Sequence, residues 1–120
     1  MRTILLYNDI VMERNKDFVY LNCFIWDTDK NEKNKIKHKI SFETAVRIFN
    51  DVDLIFQFDD KNSTLEEERW KCTGRDLQSG DFRTITVSMT ERENLKRIFS
   101  ARKANATEIK AYEQNATTYL

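Results

Sequence analysis

Two stretches in the second half of the chain alternate with a period of two, and that alternation constrains the fold more than any other feature. Over 69–75, Trp70 and Cys72 point one way while Arg69, Lys71, Thr73 and Arg75 point the other. Over 84–90, Ile85, Val87 and Met89 oppose Thr84, Thr86, Ser88 and Thr90. Successive side chains of a strand lie on opposite faces, so each stretch predicts a strand with one apolar and one polar side. Asp76 to Asp81 supply the turn between them, with Gly80 free to take positive φ. A further strand is expected over about 95–102, after a turn at Glu91 to Asn94. These strands form a meander whose apolar side needs a cover.

The cover is expected from helices on both flanks. Residues 28–38 are polar and rich in Lys and Asn, which predicts a short helix with a solvated face. Ser41 can cap a second helix, along which Phe42, Ala45, Val46 and Phe49 follow helical spacing. Asp51 to Asp53 end it, and Leu54 to Phe58 make a short strand. Asn105 starts a C-terminal helix, with Glu108 three residues on as in a capping box. Before all of these, 3–7 and 17–26 read as strands. In the second, Val19, Leu21, Cys23 and Ile25 alternate with Phe18, Tyr20, Phe24 and Trp26, so both faces are apolar and both are expected to be covered. The first strand and a turn at Asn8-Asp9 form an N-terminal addition. The order predicts an α+β fold.

With 120 residues, no Pro, and Gly74 and Gly80 as the only glycines, the chain reads as one domain without a linker. Lys+Arg and Asp+Glu balance at 20 each, so any nucleic-acid contact must come from the distribution of charge. Segment 59–68 sets Asp59, Asp60, Glu66, Glu67 and Glu68 against Lys61 alone, and reads as a solvated loop. Cys23 and Cys72 alternate with bulky apolar neighbours and read as buried free thiols. Two cysteines and one histidine make neither a disulfide framework nor a Cys-based zinc site, so no metal and no cofactor are expected. Ile4 to Tyr7 is interrupted at once by Asn8 and Asp9, and no stretch approaches the roughly 20 apolar residues of a membrane span. A cytoplasmic location is the expectation. The three Asn-x-Thr/Ser matches at Asn62, Asn105 and Asn115 are then chance.

Chemistry is expected on the polar side of the meander. Arg69, Lys71 and Arg75 beside a row of Thr and Ser could bind phosphates through guanidinium forks and hydroxyls, although a solvated sheet face has the same composition. Lys96 to Lys103 carries four positive charges and no acid. Arg97 and Arg102 are an odd number of residues apart, so a regular strand sends them to opposite faces unless a bulge or the strand end intervenes. Lys30, Lys33, Lys35, Lys37 and Lys39 surround His38, the one side chain here that titrates near neutral pH.

The residues also carry a resemblance. Phe24-Ile25-Trp26-Asp27, Lys30, Asn34, Lys37-His38 and Ser41-Phe42-Glu43 resemble the opening signature of BrnT-type toxins, W-D-x-x-K-x-x-x-N-x-x-K-H-G-[VI]-S-F. Ala45, Phe49, Asp51, Glu67-Glu68-Arg69, Gly74-Arg75, Thr90-Glu91-Arg92, Arg97-Ile98, Ser100 to Ala104, Glu108 and Tyr112-Glu113 continue it. The chain departs from the pattern at Lys39, where the family has Gly, at Val52 for a frequent Pro, and at Asn62 for a usual His. Residues 1–22 have no counterpart in shorter members and are expected to pack as an extension of a toxin domain at 23–114, with 115–120 as a tail.

The resemblance implies a RelE-like fold, a small mostly antiparallel sheet packed on two N-terminal helices and a C-terminal helix, with the extra strand or hairpin in front. It implies a type II toxin that cleaves RNA without a metal, by attack of the 2′-OH on the adjacent phosphate, and so arrests growth. The cognate BrnA-type antitoxin, with a ribbon-helix-helix DNA-binding domain, would neutralise it in a complex of two copies each and alone contact operator DNA. Glu91 is then the first candidate for base, Arg97 and Arg102 for stabilising the transition state, and His38 or Lys30 for acid. Arg69, Lys71, Arg75, Arg92 and Lys103 are candidates for binding RNA. The alternative is a non-catalytic binding module that acts only through an antitoxin or nucleic-acid partner.

Overall fold

The computed structural model describes residues 3–7, 10–14 and 17–118. Eight strands form one sheet: β1 (Thr3–Tyr7), β2 (Ile10–Arg14), β3 (Phe18–Leu21), β4 (Phe24–Asp27), β5 (Ile55–Phe58), β6 (Arg69–Arg75), β7 (Thr84–Arg92) and β8 (Leu95–Lys103). Their spatial order is β1-β2-β3-β4-β8-β7-β6-β5. Every pair is antiparallel except β4 with β8. The helices are α1 (Thr28–His38), α2 (Phe42–Ala45), which continues into a 3₁₀ turn at Val46–Asn50, and α3 (Ala106–Thr118). The α+β class and mostly antiparallel sheet expected from the sequence are both present.

Several expectations need correction. The strand expected over 17–26 is a hairpin, because Asn22 takes φ 53° and breaks the run into β3 and β4. Asn tolerates this left-handed conformation better than most side chains. A further strand, β2, pairs with both β1 and β3, so the N-terminal addition, expected as a strand or a hairpin, is a hairpin continuous with the main sheet. The expected turn at Asn8-Asp9 lies outside the described residues. In the β6–β7 connection the positive φ falls on Phe82 (49°) rather than Gly80. The turn after β7 is confined to Glu93 and Asn94, both left-handed at 54° and 67°. That is the backbone of the two-residue turns that match the twist of a hairpin. Helix α3 runs on to Thr118, past the point where a tail was expected. Cys72 is buried as expected, but Cys23 is exposed.

The apolar side of β4, β6, β7 and β8 packs against α2 and the 3₁₀ turn. Trp26, Phe42, Ile48, Ile85, Val87, Met89 and Ile98 are its buried centre. The Trp26 and Phe42 rings meet edge to face at 6.1 Å and 79°. Gly74 lets the 3₁₀ turn come close, since a Cβ there would lie 2.9 Å from Leu54 and 3.2 Å from the Ile48 carbonyl oxygen.

Two buried asparagines seat α1. Asn31 accepts from the Phe42 N–H at 2.8 Å and donates to Glu43 at 2.7 Å. Asn34 donates to the Ile40 and Ala101 carbonyls, each at 2.8 Å, and accepts from the Ala101 N–H at 3.2 Å. Strand β4 pairs with β8 only as far as Ile98. Asn34 therefore completes the edge of β8 beyond that point, satisfying groups that would otherwise be orphaned. Helix α1 then ends on Lys39 at φ 60° and ψ 28°, the left-handed position that glycine fills most easily.

Helix α3 covers part of the polar side. Its first turn is the expected capping box: Glu108 N–H donates to Asn105 Oδ1 at 2.8 Å, and Asn105 N–H to Glu108 Oε1 at 2.9 Å. Glu108 also takes both terminal nitrogens of Arg102, at 2.7 and 2.9 Å, and the Thr86 hydroxyl at 3.1 Å. One turn later, the Tyr112 hydroxyl donates to Asp51 at 2.6 Å. Burial, then the Asp51 carboxylate, push the Tyr112 phenol above its ordinary pKa. Burial disfavours the Glu108 carboxylate, but Arg102 and the Asn105 N–H outweigh it and hold the group below its ordinary value of 4.5.

Two stability predictions follow from these contacts. Lys39→Gly removes a left-handed side chain from the end of α1 and is expected to raise stability by about 1 kcal/mol in urea unfolding; a loss would refute the strained cap. Because the folded Glu108 has the depressed pKa, its contribution is full above the ordinary value of 4.5 and is lost as pH falls through the folded value. Glu108→Gln should cost on the order of 2 kcal/mol at neutral pH and flatten the acid limb of the stability curve. An unchanged acid limb would contradict this pairing.

Candidate active site

The register of the sheet decides which polar side chains meet, since residues directly opposite each other share a face. Arg69 lies opposite Thr90, which lies opposite Arg97, which lies opposite Ile25. The next row is Lys71, Ser88 and Ser100, and then Thr73, Thr86 and Arg102. Arg75 closes the face opposite Thr84.

Arg97 and Arg102 thus share a face despite their odd spacing, because β8 carries a bulge. Met89 pairs with Ile98 and Ser88 with Ser100, leaving Phe99 as the extra residue. Phe99 lies on the polar face with Arg97, two residues before it, and the bulge brings Ser100 and Arg102 to that face as well. There the Arg69 guanidinium lies 4.1 Å from the Phe99 ring centroid, the Lys30 ammonium 5.1 Å and the Arg97 guanidinium 5.9 Å. Arg97 also lies 5.6 Å from the Phe18 ring. Cations gain from the electron-rich face of an aromatic ring, which offsets part of their mutual repulsion.

An acid stands beside this group. Glu67 Oε1 accepts from Arg69 Nε at 3.0 Å, and both side chains are about one-third exposed. Glu67, Glu93, Thr90, Arg92, Arg97, Ile25 and Leu95 line a cavity of about 110 Å³ at the β7–β8 end of the face. The site therefore brings Lys30, Arg69, Arg92 and Arg97 together with two carboxylates, of which Glu67 is the one bound to Arg69. Among the described residues, neither Arg97 nor Lys30 has an ion-pair partner.

The other sequence candidates lie apart from that group. Glu91 is on the opposite face, in an ion pair with Lys96 at 2.8 Å. It is hydrogen-bonded strongly enough to hold the Lys96 ammonium above its ordinary pKa. Lys103 lies opposite Ile85 and so also points away from the arginine rows. Arg102 is on the polar face, but both terminal nitrogens are held by Glu108. Arg75 stacks on Tyr112 at 5.4 Å, under α3. Lys71 sits half-buried between the two ends of the face. His38 is half-buried in the last turn of α1, about 12 Å along the helix axis from Lys30. Thr73 and Thr86 are buried and bonded to each other at 2.8 Å, so this part of the face is not solvated. Burial pushes the Cys72 thiol up to about 12, which leaves it without nucleophilic thiolate at neutral pH.

Sequence reasoning missed Phe99 and left Glu67 in the acidic segment read as a solvated loop. The adjacent apolar pair Ile98-Phe99 breaks the alternation of β8, and is the one trace of the bulge in the sequence.

Comparison with curated proteins found no match. A family model described as "Ribonuclease toxin, BrnT, of type II toxin-antitoxin system" matches residues 26–108. That span runs from Trp26 in β4 through Glu108 in α3 and contains every side chain of the cationic group. With well over half of its length matched, the chain belongs to the BrnT family of ribonuclease toxins from type II toxin–antitoxin systems.

Proposed function

We propose that the chain is a metal-independent endoribonuclease whose active face is the cationic group at Phe99. The observation that carries this reading is the meeting of Lys30, Arg69 and Arg97 on one ring with Glu67 beside them. Cleavage of RNA by its own 2′-OH needs a base for that proton, positive charge for the pentacoordinate phosphorane, and an acid for the departing 5′-oxygen. Arg97 and Arg69 hold the non-bridging phosphate oxygens and carry the charge that a metal ion supplies in other nucleases. Glu67 takes the 2′-OH proton as O2′ bonds to phosphorus. Lys30 gives a proton to O5′ as the P–O5′ bond breaks, leaving a 2′,3′-cyclic phosphate and a 5′-hydroxyl. Glu91 and His38, expected from the sequence as base and acid, serve outside this step. Arg102 and Arg75 act by seating α3, and Lys71 and Arg92 bind the flanking backbone of the RNA.

In this reading the toxin acts in the cytoplasm and arrests growth until its antitoxin binds. The antitoxin is of BrnA type, joins in a complex of two copies each, and alone contacts operator DNA through its ribbon-helix-helix domain.

Arg97→Ala should lower kcat on a single-stranded RNA by about 100-fold or more. Glu67→Gln should do the same, while Glu91→Gln changes it less than about threefold; the opposite ranking of the two glutamates would reinstate Glu91 as base. Cleavage should persist in EDTA, and loss there with recovery in magnesium would end the metal-free scheme. RNA left intact by the folded wild-type protein would favour a purely binding role.

Phe99→Leu should keep the fold but weaken RNA binding about threefold to tenfold, the worth of roughly 1 kcal/mol of cation–π attraction. Phe99→Trp should restore it. Equal affinity for wild type and Phe99→Leu would show that the cations hold their places without the ring.

A further inference from the structure

The acidic segment that the sequence sets at 59–68 has no part in the proposed chemistry beyond Glu67. It follows β5, the last strand of the sheet, which is paired only with β6. Phe56 and Phe58 on that strand lie opposite Cys72 and Trp70, on the side away from the arginine rows, yet they are 50% and 49% exposed. Leu65 in the segment is fully exposed. The rings are not scattered. Phe24 meets Phe49 at 5.0 Å, Phe49 meets Phe56 at 6.3 Å, and Phe58 meets Trp70 at 5.4 Å. Beside them an open cavity of about 480 Å³ has Phe56, Trp70 and Met89 as an apolar floor and Glu68 and Glu91 as its walls.

Contiguous exposed aromatic surface of this kind marks a site of protein association. Its charge selects the partner. Glu68 and Glu91, with Asp60 and Glu66 exposed in the adjoining segment, would repel RNA, so this is not an extension of the ribonuclease face. A second copy joined about a two-fold axis would set acid against acid. Lys96, which lines a hollow with Phe56, is already held by Glu91. What fits is a segment that alternates apolar and basic side chains, its aliphatic stems on the rings and its charges at the rim. A toxin of this family has a protein partner by definition, its antitoxin.

We propose that the acidic aromatic surface of β5, Trp70 and Glu68 docks a Lys/Arg-bearing apolar segment of the antitoxin. The surface is on the other side of the sheet from the cationic group, so the antitoxin is anchored away from the atoms that cleave RNA. Among the described residues β5 pairs with no strand besides β6, so its outer edge offers that segment a strand to pair with.

The test uses full-length toxin and the purified antitoxin encoded beside it, titrated calorimetrically without RNA. Glu68→Lys and the double variant Phe56→Ser, Phe58→Ser should each weaken binding at least tenfold. Wild-type affinity should fall as salt rises, and RNA cleavage by the free variants should stay within twofold of wild type. Wild-type affinity in both variants would overturn the proposal. So would self-association of the toxin that the double variant abolishes, or amide protection by antitoxin confined to the arginine rows. Because binding is read without RNA, an inactive wild-type protein would count against the ribonuclease reading alone.

Discussion

The bulge at Phe99 is the constraint on which the rest of the arrangement depends. Without it, the alternation of β8 would carry Ala101 to the polar face and drive Arg102 into the core. Ala101 instead lies opposite Val87, which lies opposite Cys72, and all three are fully buried. A guanidinium in that row would be a buried charge with no partner, whereas on the polar side it finds Glu108. The extra residue falls just after Ile98, where the parallel pairing with β4 stops, and Asn34 takes over the edge of β8 from there. The bulge, the end of the parallel pair and the seat of α1 are therefore one local solution. Lys30 reaches Phe99 because Asn34, one turn later on the same helix, is pinned to Ala101.

The parts of this fold that were legible in the sequence are those ruled by periodicity or by a local cap. Strand β6 spans the residues its alternation predicts, and the Asn105–Glu108 capping box forms as its spacing implies. The parts that were not legible depend on single backbone torsions or on cross-strand register. Asn22 divides an apolar run that otherwise reads as one strand, and Phe82 rather than Gly80 takes the left-handed position in its turn. Neither follows from residue type alone, because tertiary packing selects which residue bears the strain. The candidate site was half legible for the same reason. The arginines could be named from their types and their order, but which of them stand free and which are consumed by α3 is a matter of register.

Lys39 shows how the family pattern and the torsion explain one another. The position that follows the Lys-His pair is left-handed here at φ 60°. A glycine meets that requirement without steric cost, which accounts for the family's preference in physical rather than functional terms. The departure at Lys39 therefore bears on the stability of α1, and through Asn34 on the edge of β8, rather than on the chemistry of the site.

Parity on β7 also resolves how a chain with no net charge can offer a basic surface. Thr90 faces Arg69 and Arg97, while its neighbour Glu91 faces the other way beside Lys96. The same one-residue step separates Glu67, which reaches Arg69, from Glu68, which lines the opposite cavity. The pleat thus keeps Glu68 and Glu91 off the face that holds Arg69 and Arg97, and the balance of 20 against 20 hides two surfaces of different electrostatic character. Helix α3 then covers only the Thr73–Thr86 end of the basic side, where it consumes Arg75 and Arg102. The uncovered end is the one where Lys30, Arg69 and Arg97 gather at Phe99. Its position thus follows from where α3 stops.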